Sequence, residues 1–172
     1  GKNSNLINTD KGSWMVLGYL LCTESLTPDT PAKSLCGQCQ KCIDVCPTKA
    51  ITEPFVINSS RCIPYHNIEN RTPRLPKEIS NSMGKWIVGC DICQDICPWN
   101  HRKSIKSSED PDMKPKEWII NLTEKDVLSW NDNEWSKKLK NSSLKRIKPW
   151  MWRRNAKAIH LNNERQESQH IK

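Results

Sequence analysis

Apolar residues are unevenly spread along the chain, and their spacing predicts only short elements. The first concentrated run, Trp14-Met-Val-Leu-Gly-Tyr-Leu-Leu-Cys22, follows a turn at Asp10-Lys-Gly12. It predicts a buried strand or helix, with Cys22 as a buried, inert thiol. Thr27-Pro-Asp-Thr-Pro31 reads as a loop and Pro54-Phe-Val-Ile-Asn58 as a brief strand. Pro47 and Pro98 should each stop a short helix. Thr123-Glu-Lys-Asp126 has capping-box spacing ahead of apolar Val127, Leu128 and Trp130, so a helix should start there. From Leu144 to Leu161 apolar residues recur at near-helical spacing, but Pro149 must kink or divide that helix. Beyond Asn162 the polar run ending Gln169-His-Ile-Lys172 is expected to fray.

At 172 residues the chain has one compact domain's length, which excludes a large multidomain enzyme. Its longest apolar run reaches about half of the roughly 20 residues that cross a bilayer, and no basic-then-apolar leader precedes it. A soluble, cytoplasmic protein with no membrane partner is therefore expected, and a monomer. Residue 1 is Gly rather than Met, from which a loss of amino-terminal sequence is expected.

Nine cysteines and eight tryptophans against one phenylalanine are the unusual counts. Eight of the cysteines lie between Cys36 and Cys97, in two runs that echo each other. These are Cys36-x2-Cys39-x2-Cys42-x3-Cys46-Pro47 and Cys90-x2-Cys93-x3-Cys97-Pro98. Three thiolates two residues apart, with a fourth three residues on and before Pro, have the spacing with which bacterial ferredoxins hold 4Fe-4S clusters. In the two-cluster form the fourth cysteine of a run serves the other cluster, because a helix carries it away from the tight loop of the first three. Cys36, Cys39 and Cys42 then share a cluster with Cys97, leaving Cys46, Cys62, Cys90 and Cys93 for the second. The competing reading is two tetrahedral zinc sites of four thiolates each, which also favour Cys-x2-Cys pairs.

Charge divides the chain: residues 1–100 hold 10 basic and 9 acidic side chains, residues 101–172 hold 17 and 10. Two oxidised clusters with their thiolates would lower the net +8 to about +4 and leave the basic end more prominent. From Trp135 to Asn163 nine basic residues occur with no acidic one. Such a stretch attracts phosphate, and Trp135, Trp150 and Trp152 offer faces for unstacked bases, although tryptophans pack more often than they stack.

Several stretches outside the cysteines resemble epoxyqueuosine reductase, the cobalamin-dependent family of tRNA queuosine synthesis. They include Gly1-Lys-Asn-Ser-Asn-Leu-Ile7, Gly12-Ser-Trp14, Cys46-Pro-Thr-Lys-Ala-Ile51, Arg61-Cys-Ile63 and Ile68-Glu69. More specific still are Gly89-Cys-Asp-Ile-Cys-Gln94, Cys97-Pro-Trp-Asn100 and Leu144-Lys-Arg-Ile-Lys-Pro-Trp-Met-Trp-Arg-Arg-Asn-Ala156. The resemblance runs from Gly1 to about Ala158 and is confined to the family's carboxyl-terminal portion.

It implies an α+β protein: a two-cluster ferredoxin-like module at residues 31–105, a remnant of a cobalamin-binding reductase domain before it at 1–30, and a basic helical tail after it at 106–172 that contacts tRNA. It implies two 4Fe-4S clusters and cobalamin as cofactors, and as partners an electron donor and a tRNA with epoxyqueuosine at the wobble position. Asn3, Pro64, Asn67, Ile68, Cys90 and Asp91 would border the cobalamin, with the cluster of Cys46, Cys62, Cys90 and Cys93 nearer the cobalt. Ser143, Lys145 and Arg146 would meet RNA phosphates. The family's acidic proton donor has no counterpart here, so no catalytic residue is carried over. Pro64-Tyr-His-Asn-Ile68 departs from the family's usual Ser-Tyr-Leu-Thr-Ile, which removes a hydroxyl and a backbone donor at Pro64. His66 reads as a surface or packing residue rather than a cobalt ligand. Two other functions share the cysteine pattern: a ferredoxin-type electron carrier, and another cobalamin-dependent reductase such as a reductive dehalogenase.

Overall fold

The computed structural model describes residues 1–102 and 107–170. In chain order its helices are α1 (Lys41–Asp44), α2 (Lys77–Ser82), α3 (Ile92–Asp95), α4 (Glu117–Ile120), α5 (Glu124–Ser129), α6 (Asp132–Lys138) and α7 (Pro149–His170). Strands β1 (Ile51–Glu53) and β2 (Val56–Ile57) form the sheet found among the described residues. The fold is thus mostly short helices with very little sheet. The chain divides into two compact units.

The first unit comprises residues 1–46, 51–57 and 91–107. Its hairpin pairs Ile51 with Ile57 and Glu53 with Val56, so Pro54 and Phe55 form the turn rather than the strand expected of them. Phe55 takes φ +70° there. The turn is tied down when Phe55 N–H donates to the Lys2 carbonyl (3.0 Å) and the Ser4 hydroxyl donates to the Phe55 carbonyl (2.8 Å). The turn at residues 9–11 is present, closed by reciprocal backbone bonds between Asn8 and Gly12.

Apolar run 14–22 departs from expectation. It forms neither strand nor helix, Leu21 is 96% exposed, and Cys22 is exposed rather than buried. Burial of such a run needs a facing apolar surface, and the described residues of this unit supply none: its buried hydrophobics are Ile51 and Cys97 alone. The unit is held instead by polar links.

The second unit comprises residues 47–50, 58–90 and 108–172, and it carries the apolar core. Pro149 divides the expected helix: Ser143–Arg146 is a separate 3-10 turn, and α7 begins at Pro149, where a fixed φ and a missing N–H cost nothing. Met151, Trp152, Ala156 and Ile159 make the buried stripe of α7, at helical spacing. They pack with Val127 of α5, Ile79 of α2, Leu139 and Met83. Contrary to the expected fraying beyond Asn162, α7 continues to His170, while Ile171 and Lys172 lie outside the described residues. Thr123 and Asn131 each open a helix with a complete capping box, closed by Asp126 and Glu134. Trp135 and Trp152 pack in the core, whereas Trp150 is 40% exposed.

In this unit the polar residues Asn67 and Asn155 sit fully inside. Asn155 on α7 donates to the carbonyls of Asn67 (2.8 Å) and Ile87 (2.9 Å), joining the long helix to the turn at residues 65–69 and to the loop at Ile87. Asn155→Leu, with the same number of side-chain heavy atoms, removes both donors and leaves two buried carbonyls unsatisfied. It is expected to lower stability by about 2–4 kcal/mol, read as a shifted midpoint in urea unfolding at unchanged m-value.

Candidate metal centre

The two cysteine runs fold alike. Cys36-Gly-Gln-Cys39 turns tightly, with Gly37 at φ +50° and Cys39 N–H donating to the Cys36 carbonyl (3.0 Å), and then enters α1, which carries Cys42. The second run enters α3, which carries Cys93. Each helix is four residues long and is over before the proline that follows: Pro47 comes three residues after α1, and Pro98 starts the next 3-10 turn. Cys97 N–H donates to the Gln94 carbonyl (3.0 Å), which ends the α3 turn and swings Cys97 out of the helix.

In the first unit Cys36, Cys39, Cys42 and Cys97 line one cavity of about 260 Å³. The set predicted from spacing is therefore brought together, although 55 residues separate Cys97 from Cys42. Cys97 is 8% exposed and the other three are half-buried. Burial pushes the Cys42 thiol up, and the nearby Cys36 and Cys39 push the same way, partly offset by backbone hydrogen bonds. A cationic metal core reverses that balance by stabilising the thiolates.

The four thiols line one common cavity. Among the described residues no three Cys, His, Asp or Glu side chains are placed to hold a single metal ion. Tetrahedral zinc, with Zn–S bonds of about 2.3 Å, would draw its sulfurs to about 3.8 Å from one another. The donor set and the room inside it fit a 4Fe-4S cluster, whose thiolates cap the corners of a cage.

Polar side chains hold the surrounding loops. Asn3 is buried, donates to the Cys93 carbonyl (3.0 Å) and accepts from Asn5 N–H (3.2 Å). Ser13 N–H donates to Asn100 Oδ1 (2.7 Å) and its hydroxyl to Gln94 Oε1 (2.9 Å), while Asn100 Nδ2 donates to the Gln94 carbonyl (2.8 Å). Ser13, Gln94 and Asn100 thus clamp the second cysteine run; the motif residues were visible in the sequence, but not that they serve each other. Asp91 is half-buried and accepts from Gln94 Nε2 (3.1 Å). Burial raises its pKa, Gln94 partly opposes this, and Asp95 adds to the rise.

Of the remaining cysteines, Cys46 and Cys93 belong to the first unit and Cys62 and Cys90 to the second, all half-buried. In the second unit Pro64 precedes a π-helical turn, Tyr65–Glu69. His66 is buried there, as a packing residue: Nε2 meets the Ser60 carbonyl (2.8 Å) and Nδ1 meets Asn70 Nδ2 (3.0 Å), so both ring nitrogens are used within the protein. Asn67 is fully buried; it donates to the carbonyls of Trp86 (3.2 Å) and Gly89 (2.9 Å) and accepts from Gly89 N–H (3.1 Å). Its side chain pins the loop that leads into Cys90. Arg154, missed as a site residue, locks the same region by donating to the carbonyls of His66 (2.7 Å), Asn70 (2.8 Å) and Thr72 (2.6 Å). Ile68 is half-buried beside the core.

Ser143, Lys145 and Arg146 are exposed on the 3-10 turn that Ser142 caps. Arg146 pairs with Glu69, and among the described residues Lys145 has no carboxylate partner.

Residues 35–100 match the family described as the 4Fe-4S double cluster binding domain. Over nearly its whole length the chain is similar to epoxyqueuosine reductases. It is 60% identical to that of Prochlorococcus marinus over 92% of this chain and 51% of the relative. It is 44% identical to that of Synechocystis sp. over 92% of this chain and 54% of the relative. An epoxyqueuosine reductase structure from Bacillus subtilis superposes with a TM-score of 0.84 at 30% identity, over 94% of this chain and 42% of that one. An epoxyqueuosine reductase crystallised with an epoxyqueuosine-modified tRNA-Tyr stem loop gives a TM-score of 0.78 at 28% identity, again over 94% and 42%. The chain thus spans about half the length of the curated relatives it matches.

Asn67→Asp tests the pin. The new carboxylate would face two carbonyl oxygens in a buried setting, which raises its folded pKa above the ordinary value of about 3.9. The penalty is absent below that value and grows as pH rises through the folded pKa. The variant is expected to lose most stability against the parent at pH 8 and to recover as pH falls toward 5, read as the difference in thermal midpoint.

Proposed function

We propose that this chain is the cluster-bearing, RNA-contacting portion of an epoxyqueuosine reductase. In this reading electrons pass through two 4Fe-4S clusters to cobalamin, and epoxyqueuosine at the tRNA wobble position takes up two electrons and two protons, giving queuosine and water. The observation that carries it is the cavity in which Cys97 joins Cys36, Cys39 and Cys42, the crossed pairing that a two-cluster ferredoxin module requires. Cys46, Cys62, Cys90 and Cys93 complete the second set.

Residues 31–105 form the module, 1–30 continue a reductase domain, and 106–172 carry the RNA contacts. Bound cobalamin supplies a low-valent metal able to open the epoxide carbon–oxygen bond. This chain's own residues bind and position. Pro64, Ile68, Cys90 and Asp91 border the corrin. Asn3 and Asn67 act beside it as positioning residues, since Asn3 holds the Cys93 carbonyl and Asn67 holds both backbone groups of Gly89. Ser143 and Lys145 meet phosphate directly, and Arg146 exchanges Glu69 for phosphate on binding.

Protein purified anaerobically is expected to be brown, with about eight iron and eight sulfide per chain. Cys97→Ser should cost about four of each, whereas Cys22→Ser, on the exposed run, should cost none. A colourless, zinc-loaded preparation would overturn the reading.

RNA contact is tested by point substitution, because α7 supplies much of the core and its deletion would unfold the second unit. Lys145→Ala with Arg146→Ala should weaken tRNA binding about tenfold and lower the salt slope by about two. An electron carrier with no RNA substrate would show no such binding.

A further inference from the structure

The mouth of the four-cysteine cavity has a distinct chemistry. Lys2, Lys41 and Arg102 line it, and no carboxylate does. A second hollow of about 320 Å³ adjoins it, sharing Leu35, Cys36 and Trp99, and adds Lys33, again without a carboxylate. Arg102 is held in place by stacking 3.9 Å from the Trp99 ring centroid and donating to the Thr9 carbonyl (2.8 Å), and Lys2 donates to the Gly37 carbonyl (2.7 Å). Lys33 and Lys41 are exposed, and among the described residues neither has an ion-pair partner. Within this basic rim the surface is apolar: Leu35 is 56% exposed, and Ile7 and Trp99 are half-buried.

We infer that this face is the docking site for an acidic, one-electron carrier protein that reduces the cluster of Cys36, Cys39, Cys42 and Cys97. The inference rests on the cluster assignment proposed above. A cationic rim around a small apolar centre suits a weak, short-lived redox encounter, in which complementary charge speeds association and little area is buried. RNA phosphate would also be drawn to lysines, but the exposed apolar centre at the cavity mouth offers it nothing, and tunnelling requires the donor to come close to the cluster. The step is a transfer of one electron: the carrier is oxidised by one, the cluster is reduced by one, and no bond forms or breaks.

The test uses the cluster-loaded chain and a reduced plant-type ferredoxin as probe, with anaerobic stopped-flow absorbance following cluster reduction. The rate constant should fall steeply with added salt. Lys33→Glu with Lys41→Glu should lower it at least tenfold at unchanged iron and sulfide content. Reduced methyl viologen, a small cation, should be slowed in neither case. A salt-independent ferredoxin rate, or equal slowing of ferredoxin and viologen, would overturn the docking site, the latter because the lysines would then act on the cluster itself. Lost tRNA affinity in the double variant with an unchanged ferredoxin rate would assign the face to RNA instead. A chain that takes up no iron would refute the cluster reading rather than the docking face alone.

Discussion

A loop with cysteines spaced two apart can present three thiolates to one cage and no more, because the helix that follows carries the next cysteine away. The chain must therefore bring its fourth ligand from far along the sequence. Cys97 reaches the cavity of Cys36, Cys39 and Cys42 only because α3 ends after one turn, and because Ser13, Gln94 and Asn100 bind the returning segment. The first unit buries almost no hydrocarbon, so this crossing is its organising contact. The proposed cluster there would work as a cross-link, restricting the unfolded chain as a covalent bridge would.

The second unit solves the opposite problem. It has a continuous apolar core built on α7, and its difficulty is to fix irregular segments that make few helical bonds. Asn67, Asn155 and Arg154 do this by reading backbone carbonyls. Such groups are placed by direction as well as distance, which an apolar contact cannot enforce. Part of the basic charge is spent in the same way. Arg153 pairs with Asp132, Arg154 is used up on carbonyls, and Lys138 lies 5.2 Å from the Trp130 ring. Of the basic residues between Trp135 and Asn163, only some therefore remain for an outside anion.

Legibility followed from how local each cause was. The meeting of Cys97 with Cys36, Cys39 and Cys42 in one cavity was readable because thiolate spacing is a local constraint with few solutions. The Thr123 helix start was readable because its capping box lies within four residues. Pro149 was expected to kink or divide a helix, and it divides one: a 3-10 turn ends at Arg146 and α7 starts at Pro149. The run at 14–22 misled because hydrophobicity reports a need for burial without saying whether a partner surface is at hand. Fraying after Asn162 was expected from polarity alone, yet α7 runs on through its own backbone bonds. The roles of Asn67, Asn155 and Arg154 were not readable, since each depends on carbonyls that only the folded chain brings near.

The contrast between the two units has a cellular consequence. Where iron is scarce, the half with its own hydrocarbon interior would still fold, while the other would stay loose and open to proteases.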